Sequence, residues 1–557
     1  MLMSKKEQRP WVEGLTIGQV LKRTSERYAD RDALVFPKLG VRANWREFSA
    51  RVDQVACALL ALGIQPGQHV AVWATNVPEW VVLQFATARI GAVLVTVNPA
   101  YRPFELKYTL RQSDAAALFL IDWFKSSDYF SMINEVCPGL SACRPGELQC
   151  SEFPELRSIV AITGDAPDGI LGWTDFVDRA QSIDVARVDE IEAQLSSFDA
   201  INIQYTSGTT GTPKAATLSH QNILLNAYYV GQCQQLNHED RICISVPFYH
   251  CFGCVLGTLC AAVYGAAMIV PGEYFGARDT LAAIEQERAT AVYGVPTMFI
   301  AQLEEPSFRD RDLSSLRTGI MAGSPCPIEI MKRVIHDMGA SEMTIAYGQT
   351  EASPVVTQTR TDDPIDLRVE TVGQPIPGVE AKIVDARSGK ELGDNEQGEF
   401  CSRGHVVMLG YYKDVDATSE AIDKDGWLHS GDLAIRLPNG YYRITGRIKD
   451  MVIRGGENIY PREIEEFLFT LPVVEQSAVV GVPDQKFGEE LCAWIKLKSG
   501  ATATEDEIRQ ACRGGLAHFK VPRDIKFVDS FPQTVTGKVQ KFRIREAMIQ
   551  ELDQAKD

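Results

Sequence analysis

Short apolar runs alternate with amphipathic stretches over about the first 440 residues of this 557-residue chain. Apolar positions at helical spacing predict helices over residues 78–90 and 278–288. Strands joined by covering helices are typical of βαβ units with a parallel sheet. The pattern therefore predicts an α/β fold, whose clearest strands are residues 70–73, 92–95, 117–120, 242–246 and 291–294.

One uncharged stretch raises the question of a membrane span. Residues 254–270 are 17 consecutive positions without charge, close to the shortest length that crosses a bilayer. Tyr264 and Gly265 interrupt the stretch, and no basic flank follows it. We interpret it as a buried helix followed by a buried strand over 266–270, and expect no transmembrane segment.

The pattern of apolar and charged residues changes near residue 440. A Pro-Asn-Gly turn signal at 438–440 precedes a short apolar run and then a charged cluster over 446–450. We predict an N-terminal domain over 1–448 and a C-terminal domain over 449–557. Helices over 461–470 and 505–517 and strands over 473–480 and 491–497 give the second domain an α+β character.

The charge balance restricts the partners of the protein. Its 56 basic and 73 acidic residues leave a net charge of −17, which repels nucleic acid, so no nucleic acid is expected as a partner. The polar first ten residues lack the apolar core of a secretory signal, and the 13 cysteines lack regular spacing. We expect a cytoplasmic protein with reduced thiols, and no metal or redox role for the Cys-x-x-Cys pair Cys251 and Cys254.

A loop between two apolar segments combines hydroxyl groups, glycine and one cation. Such a loop suits a polyphosphate, because backbone N–H groups and hydroxyls can approach it closely while a lysine supplies charge. It is not a Walker A motif, since Pro213 precedes the lysine and the glycines stand too close together. A solvated linker is the alternative. The candidate phosphate-binding residues are Thr206, Ser207, Gly208, Thr209, Thr210, Gly211 and Lys214.

Four further motifs follow, and each taken alone has a structural alternative. Residues 347–351 (YGQTE) end an apolar strand, at the edge of the sheet where open α/β folds bind ligands, but they also suit an ordinary loop. Residues 429–432 (HSGD) suit a turn with a capping aspartate. Residues 446–450 (GRIKD) with 455–461 (GGENIYP) suit a hairpin, and 532–538 (PQTVTGK) suit a tail loop.

Taken together, in this order, the five motifs resemble the ANL superfamily of adenylate-forming enzymes: acyl-CoA synthetases, peptide-synthetase adenylation domains and luciferases. The resemblance covers nearly the whole chain. Residues 248–253 (FYHCFG), 322–325 (AGSP) and 454–461 (RGGENIYP) resemble the medium-chain fatty acyl-CoA ligase branch most closely. The implied fold is a large N-terminal domain of two helix-covered sheets plus a distorted β-barrel, with a small mobile α+β C-terminal domain.

The resemblance implies an ATP-dependent carboxylate-CoA ligase. A fatty acid, of medium length by this branch, would react with ATP to give acyl-AMP and pyrophosphate, and CoA would then displace AMP. The implied cofactors are ATP, Mg²⁺ and the co-substrate CoA. Loading of a carrier-protein thiol is the alternative, and a homodimer is left open. A non-catalytic nucleotide-binding protein is a further alternative, but it should lack Lys538 or Glu351, and both are present.

The chemistry explains the cations that the family uses. A carboxylate approaches the α-phosphate of a polyanion, so the barrier is largely electrostatic. One positive charge about 4 Å away in a partly shielded site contributes roughly 4 kcal/mol. By resemblance, Lys214 steadies the leaving pyrophosphate, Lys538 bridges the acid and the α-phosphate, and Glu351 with Thr206 ligates Mg²⁺.

The same resemblance gives roles to the remaining site residues. Tyr347 would stack on adenine and Asp432 would bind the ribose, with Arg447 beside it. Lys449 would act as the hinge between the domains. The nucleotide loops would add Gly323, Ser324, Pro325, Gly348, Gln349 and Thr350; the acyl site Phe248, His250 and Tyr293; and the CoA site Gly455, Gly456 and Glu457. For His250 and Tyr293, an ordinary buried position is an equal alternative.

Overall fold

Two large, mainly parallel sheets make up most of the protein. The computed structural model describes residues 9–206, 213–324, 326–455, 457–534 and 538–554. The first sheet has eight strands, in the spatial order Gly410–Tyr411, Lys214–Ser219, Ala200–Thr206, Val93–Val97, His69–Trp73, Ala115–Leu120, Ser158–Ala161 and Leu171–Gly172. Its last six strands are parallel, and the first two are antiparallel additions at one edge.

The second sheet has nine strands. Its six central strands, from Glu342–Gly348 to Asp32–Phe36, are parallel, and the outer ones are antiparallel. The spatial order is Gln374–Pro375, Val355–Gln358, Glu342–Gly348, Thr318–Ala322, Ala291–Gly294, Arg241–Ile244, Ala267–Ile269, Asp32–Phe36 and Val41–Asn44. The predicted parallel α/β architecture is confirmed, and each of the five strands predicted in this region overlaps an observed one.

Helices cover these sheets as the βαβ pattern predicts. Pro78–Arg89 buries eleven of its twelve residues, which explains why its sequence is apolar on nearly every side. The α-helices before residue 422 are Ile17–Arg27, Trp45–Ala61, Pro78–Arg89, Pro103–Ser113, Tyr129–Val136, Trp173–Asp178, Val185–Glu192, His220–Cys233, Cys251–Gly253, Cys260–Tyr264, Ala277–Glu287, Pro296–Leu303, Ile328–Asp337, Ile365–Glu370 and Val415–Ala421.

The uncharged stretch 254–270 is buried inside the protein. It forms a π-helical turn, Cys254–Leu259, that continues into Cys260–Tyr264 and then, after Gly265, into the strand Ala267–Ile269. Gly265 has φ of 70°, the left-handed conformation that ends a helix, which glycine adopts without steric cost. The predicted helix and strand are confirmed, and no helix among the described residues is both long and apolar enough to cross a membrane.

A third, four-stranded antiparallel sheet corresponds to the region predicted as a distorted barrel. Its strands, in spatial order, are Val379–Val384, Gln397–Gly404, Leu428–Arg436 and Tyr442–Arg447. A two-stranded ribbon, Trp123–Phe124 with Ser127–Asp128, stands apart from the three sheets.

The C-terminal region has its own sheet and its own core. Val452 is the first residue of a cluster of buried side chains that includes Ile464, Val479 and Ile495. The strands are Val452–Arg454, Glu457–Ile459, Val474–Asp484, Gly488–Leu497 and Asp524–Phe527, and the α-helices are Pro461–Phe469, Glu505–Gly515 and Lys541–Gln554. The preceding sheet ends at Arg447, so the proposed boundary at 448/449 falls in the short 3₁₀ turn Ile448–Asp450 between two sheets.

Candidate active site

Glu351 lies where the edges of the two large sheets meet. It belongs to the 3₁₀ turn Thr350–Ala352, which follows the strand Glu342–Gly348. Its Oε1 accepts a hydrogen bond from the Thr206 hydroxyl at 3.3 Å, and Thr206 is the last residue of the strand Ala200–Thr206. The structure thus brings together two predicted metal ligands that are 145 positions apart in the sequence.

Lys214 enters the same cluster from the neighbouring strand. It is the register partner of Thr206, so the two residues that flank the predicted phosphate loop lie side by side on the sheet. Its Nζ lies 5.0 Å from the ring centroid of Tyr411, within cation–π range. The loop residues Ser207, Gly208, Thr209, Thr210 and Gly211 lie outside the described residues.

Tyr411 is a contact of Glu351 that the sequence did not predict. Its hydroxyl donates to Glu351 Oε1 at 2.8 Å, while its ring faces Lys214. Burial and the Glu351 carboxylate raise the pKa of Tyr411, so the phenol stays a donor at neutral pH. The only signal was a tyrosine pair, Tyr411 and Tyr412, after a glycine, and nothing in it indicates which tyrosine reaches the site.

The oxygen donors here fit a hard cation. Glu351 offers a carboxylate and Thr206 a hydroxyl, and oxygen ligands of this kind suit Mg²⁺. The half-buried carboxylate is already fixed by Thr206 and Tyr411. A bound cation would therefore meet an oriented ligand.

A second cluster forms around Asp432, on the strand Leu428–Arg436. Its Oδ2 accepts from the hydroxyl of Tyr347 at 2.8 Å, and its Oδ1 lies 2.8 Å from Nε of Arg447, its register partner on the next strand. Asp432 is only 5% exposed. Burial, and next the Asp432 carboxylate, raise the pKa of Tyr347, which keeps its phenol protonated. The rings of Phe400 and Tyr347 pack nearly perpendicular to each other, with 5.3 Å between the centroids.

Lys538 reaches this second cluster from the C-terminal region. Two hydrogen bonds join it to Thr534: Thr534 donates its N–H to the Lys538 carbonyl at 2.8 Å, and the Thr534 hydroxyl accepts the Lys538 N–H at 3.1 Å. The positive charge of Arg447, together with loss of solvent, lowers the pKa of Lys538 to about 8, against the opposing pull of Asp432, Asp450 and Glu351. The ammonium thus stands in the field of both clusters.

His250 forms the N-cap of the short helix Cys251–Gly253. Its Nδ1 accepts the backbone N–H of Phe252 at 3.1 Å, so the neutral ring carries its proton on Nε2. Burial, and next the charge of Lys538, lower the pKa of His250 to about 4. The ring is therefore neutral at physiological pH and lies near Lys538.

The other two predicted acyl-site residues are core positions in this conformation. Phe248 packs against Trp80 with 5.5 Å between ring centroids, and its N–H donates to Asn76 Oδ1 at 2.9 Å. Tyr293 is fully buried in the strand Ala291–Gly294 and faces Phe252 at 6.1 Å. Phe252 therefore contacts the Tyr293 ring with its own ring and the His250 imidazole with its backbone N–H.

Backbone constraints explain the glycines of the two predicted nucleotide loops. A Cβ on Gly348 would lie 1.8 Å from the carbonyl oxygen of Pro354, so only glycine fits there. Gly323 has φ of 86° directly after the strand Thr318–Ala322, with Ser324 next to it. Gln349 donates its N–H to the same Pro354 carbonyl at 2.9 Å, and Thr350 Oγ1 lies 3.6 Å from Cys251 Sγ. Pro325 lies outside the described residues.

The predicted hinge and CoA residues form a separate group. Lys449 is an exposed residue of the turn Ile448–Asp450. Gly455 has φ of 61° and donates its N–H to the Phe487 carbonyl at 2.8 Å, while Glu457 pairs with Arg454 on the C-terminal sheet. Gly456 lies outside the described residues. Gly455 and Glu457 thus stand on the C-terminal sheet and not in the Asp432 cluster.

Comparison with known proteins identifies the family. The model of the AMP-binding enzyme family matches residues 21–412, and that of the AMP-binding enzyme C-terminal domain matches residues 463–538. The Bacillus subtilis (strain 168) protein YngI, named as a candidate acyl-CoA synthetase, is 50% identical over 535 residues, which are 96% of this chain and 97% of YngI. The mitochondrial medium-chain acyl-CoA ligase ACSF2 of Danio rerio is 44% identical over 537 residues, 96% of this chain and 88% of that protein.

A solved structure supports the same assignment. The anthranilate CoA ligase AuaEII, crystallised with anthranoyl-AMP, has a TM-score of 0.83 at 27% identity, over 98% of this chain and 99% of that one. The predicted resemblance and fold class are confirmed, and the substrates are an acid, ATP and CoA. The chain belongs to the AMP-binding enzyme family of the ANL superfamily and is an AMP-forming acyl-CoA synthetase.

Proposed function

We propose that this enzyme activates a medium-chain fatty acid as acyl-AMP and transfers the acyl group to free CoA. The observation that carries the proposal is the position of Lys538, whose ammonium stands in the combined field of Arg447, Asp432 and Glu351. The similarity to a medium-chain acyl-CoA ligase over 96% of the chain supports the choice of acid.

In the first half-reaction, Asp432 holds the nucleoside. Each of its oxygens has one protein donor, from Tyr347 and from Arg447, and retains a lone pair for a ribose hydroxyl. Arg447 and Tyr347 also fix the carboxylate against rotation. The Tyr347 ring, which packs against Phe400, would lie against one face of the adenine, with the loop of Gly323, Ser324 and Pro325 on its other face.

The phosphates would lie between Lys214 and Glu351. Lys214 and the loop residues that precede it would bind the leaving pyrophosphate. Glu351 and Thr206 would hold Mg²⁺, which when bound neutralises phosphate charge. Tyr411 keeps both Glu351 and Lys214 in place, by its hydroxyl and its ring respectively.

Lys538 would act at the bond that forms. An oxygen of the fatty acid carboxylate attacks the α-phosphorus, the bond from the α-phosphorus to the bridging oxygen breaks, and pyrophosphate leaves. Negative charge builds up on the α-phosphate during this step, and the Lys538 ammonium stabilises it. With a pKa of about 8, most of Lys538 is charged at pH 7. The neutral His250 ring positions the acid and takes no proton.

In the second half-reaction, the CoA thiol must occupy the position that Lys538 held in the first. We propose that the C-terminal domain rotates about Lys449, a junction residue between two sheets, and brings Gly455, Gly456 and Glu457 toward the acyl-AMP. The bare backbone of the glycines leaves room for pantetheine. The thiolate attacks the acyl carbonyl carbon, the bond to the AMP oxygen breaks, and AMP leaves.

The test measures AMP release with ATP, Mg²⁺ and CoA across straight-chain acids from butyrate to palmitate, with benzoate and anthranilate as aromatic competitors. We expect the highest kcat/KM for acids of medium length. A maximum at an aromatic acid would overturn the choice of a medium-chain fatty acid. Aromatic acids are included because the chain is also similar to an anthranilate CoA ligase. Acyl-AMP that forms but is not consumed by CoA would favour a carrier-protein thiol as acceptor. A cytoplasmic location stays a prediction.

A further inference from the structure

Three metal-ligating side chains meet on the four-stranded antiparallel sheet. Glu399 and Cys401 stand two positions apart on the strand Gln397–Gly404, and His429 on the adjacent strand is the register partner of Cys401. Their ligand atoms all lie within 4.8 Å of one another. None of the three has a part in the adenylation chemistry proposed above.

The distances suit a tetrahedral zinc ion. His429 Nδ1 lies 3.5 Å from Cys401 Sγ and 2.9 Å from Glu399 Oε2. With zinc–nitrogen and zinc–oxygen bonds of about 2.0–2.2 Å and a zinc–sulfur bond of about 2.3 Å, a tetrahedral site separates nitrogen from sulfur by about 3.5 Å and nitrogen from oxygen by about 3.4 Å. The observed distance from nitrogen to sulfur already equals the tetrahedral value. The distance from nitrogen to oxygen would have to lengthen by about half an ångström.

Neighbouring groups orient these ligands. Glu399 Oε1 accepts the N–H of Gly431 at 3.0 Å, which leaves Oε2 directed at the histidine. On the far side of the ring, His429 Nε2 lies 3.7 Å from Asp423 Oδ2, and a carboxylate in this position fixes a metal-bound imidazole. Asp423 Oδ1 in turn accepts the N–H groups of Asp425 and Trp427, both at 2.9 Å.

The burial of the cluster leaves one side open. Cys401 is fully buried, the Glu399 side chain is 13% exposed, and that of His429 is 31% exposed. Water can therefore reach the histidine side and complete a four-coordinate site. Lys382, the register partner of Cys401, brings an opposing positive charge, although its ammonium lies over the Trp427 ring at 4.0 Å. We expect weaker binding than at a structural zinc site for this reason.

We propose that Glu399, Cys401 and His429 bind one zinc ion, with Asp423 orienting the histidine. Sulfur and imidazole nitrogen select a borderline metal and discriminate against Mg²⁺, the hard cation that Glu351 and Thr206 suit. The proposed zinc site is therefore separate from the nucleotide site. The strand Leu428–Arg436 carries both, because His429 and Asp432 are three residues apart on it.

The experiment titrates metal-free protein with Co²⁺, which gives a thiolate-to-cobalt charge-transfer band, and with Zn²⁺ against a chromophoric chelator. We expect the wild-type protein to bind one equivalent of zinc. In Cys401→Ser, the cobalt band should be lost and zinc should bind at least tenfold more weakly. His429→Gln should also weaken binding at least tenfold, and Asp423→Asn should weaken it by about 10–100-fold. AMP formation from ATP, fatty acid and CoA, measured with Mg²⁺ and without added zinc, shows that each variant is folded.

The matched control is Cys150→Ser, which removes a thiol from a different cysteine group, beside Cys137. It should leave both the band and the zinc affinity unchanged. The proposal is overturned if the wild type shows no cobalt band, if the band survives Cys401→Ser, or if only Cys150→Ser removes it. If Cys401→Ser does not fold, the zinc affinity of His429→Gln decides.

Discussion

Arg447 places its Nε 2.8 Å from Oδ1 of Asp432, across the last two strands of the four-stranded sheet. The same guanidinium is the largest cause of the lowered pKa of Lys538. One arginine therefore fixes a buried carboxylate and sets the charge of a lysine that comes from the C-terminal region. Two tests of the proposed mechanism follow from this link.

Replacing Lys538 by Ala should abolish most of the adenylation and leave thioester formation from supplied acyl-AMP. The ammonium is proposed to act only where charge builds up on the α-phosphate, so its loss should lower the adenylation rate by about 10²–10³-fold. Pyrophosphate release measures the first half-reaction, and acyl-CoA formed from acyl-AMP measures the second.

Lys541→Ala is the matched control for Lys538→Ala. Lys541 lies three positions further along and pairs with Glu465 at 2.7 Å. Its loss should leave both half-reactions near the wild-type rate. Equal falls in both half-reactions of Lys538→Ala would contradict its assignment to the first step.

The pH profile should show the titration of Lys538. Its lowered pKa of about 8 means that the charged form exists below this pH and is lost as the pH rises through it. We therefore expect kcat/KM for ATP, which reports the free enzyme, to fall above about pH 8. Because Arg447 is the main cause, Arg447→Gln should move this alkaline limb to higher pH while lowering the overall rate. An unmoved limb would show that another group titrates there.

Tyr411→Phe should weaken the use of magnesium and ATP together. The substitution removes the 2.8 Å hydrogen bond to Glu351 and keeps the ring that faces Lys214. A hydrogen bond to a charged group contributes about 1.5–3 kcal/mol, so we expect the KM for MgATP to rise by about tenfold or more, with a steeper requirement for free Mg²⁺.

Tyr412→Phe tests whether the Tyr411 effect is merely structural. The Tyr412 hydroxyl donates to Asp114 at 2.9 Å, away from Glu351. Its loss should lower stability slightly without changing the magnesium dependence. If both variants shift the magnesium requirement equally, Tyr411 has no special role at the site.

The sequence predicted the parts of the site that follow local rules. Thr206 ends a strand of the first sheet and Glu351 follows a strand of the second, and open parallel sheets bind ligands at such strand ends. Tyr411 was missed because its contact with Glu351 joins residues 60 positions apart on different elements. The Glu399, Cys401 and His429 cluster depends on a strand register that includes a bulge, which periodicity alone does not give. The sequence could not assign Phe248 and Tyr293 to the acyl site, because an aromatic side chain suits a position in the core as well as one in the lining of a pocket.

Lys449→Pro should separate the two half-reactions in the opposite sense to Lys538→Ala. Lys449 lies in the 3₁₀ turn between the sheet that ends at Arg447 and the one that begins at Val452, so a rotation of the C-terminal domain must change backbone dihedrals there. Proline fixes φ near −65°, which should spare adenylation and lower the rate of thioester formation by at least tenfold. Lys449→Ala removes the same ammonium but leaves the backbone free, and should keep both rates within about twofold of wild type. If Lys449→Ala lowers thioester formation as far as Lys449→Pro does, the side chain rather than the rotation is responsible.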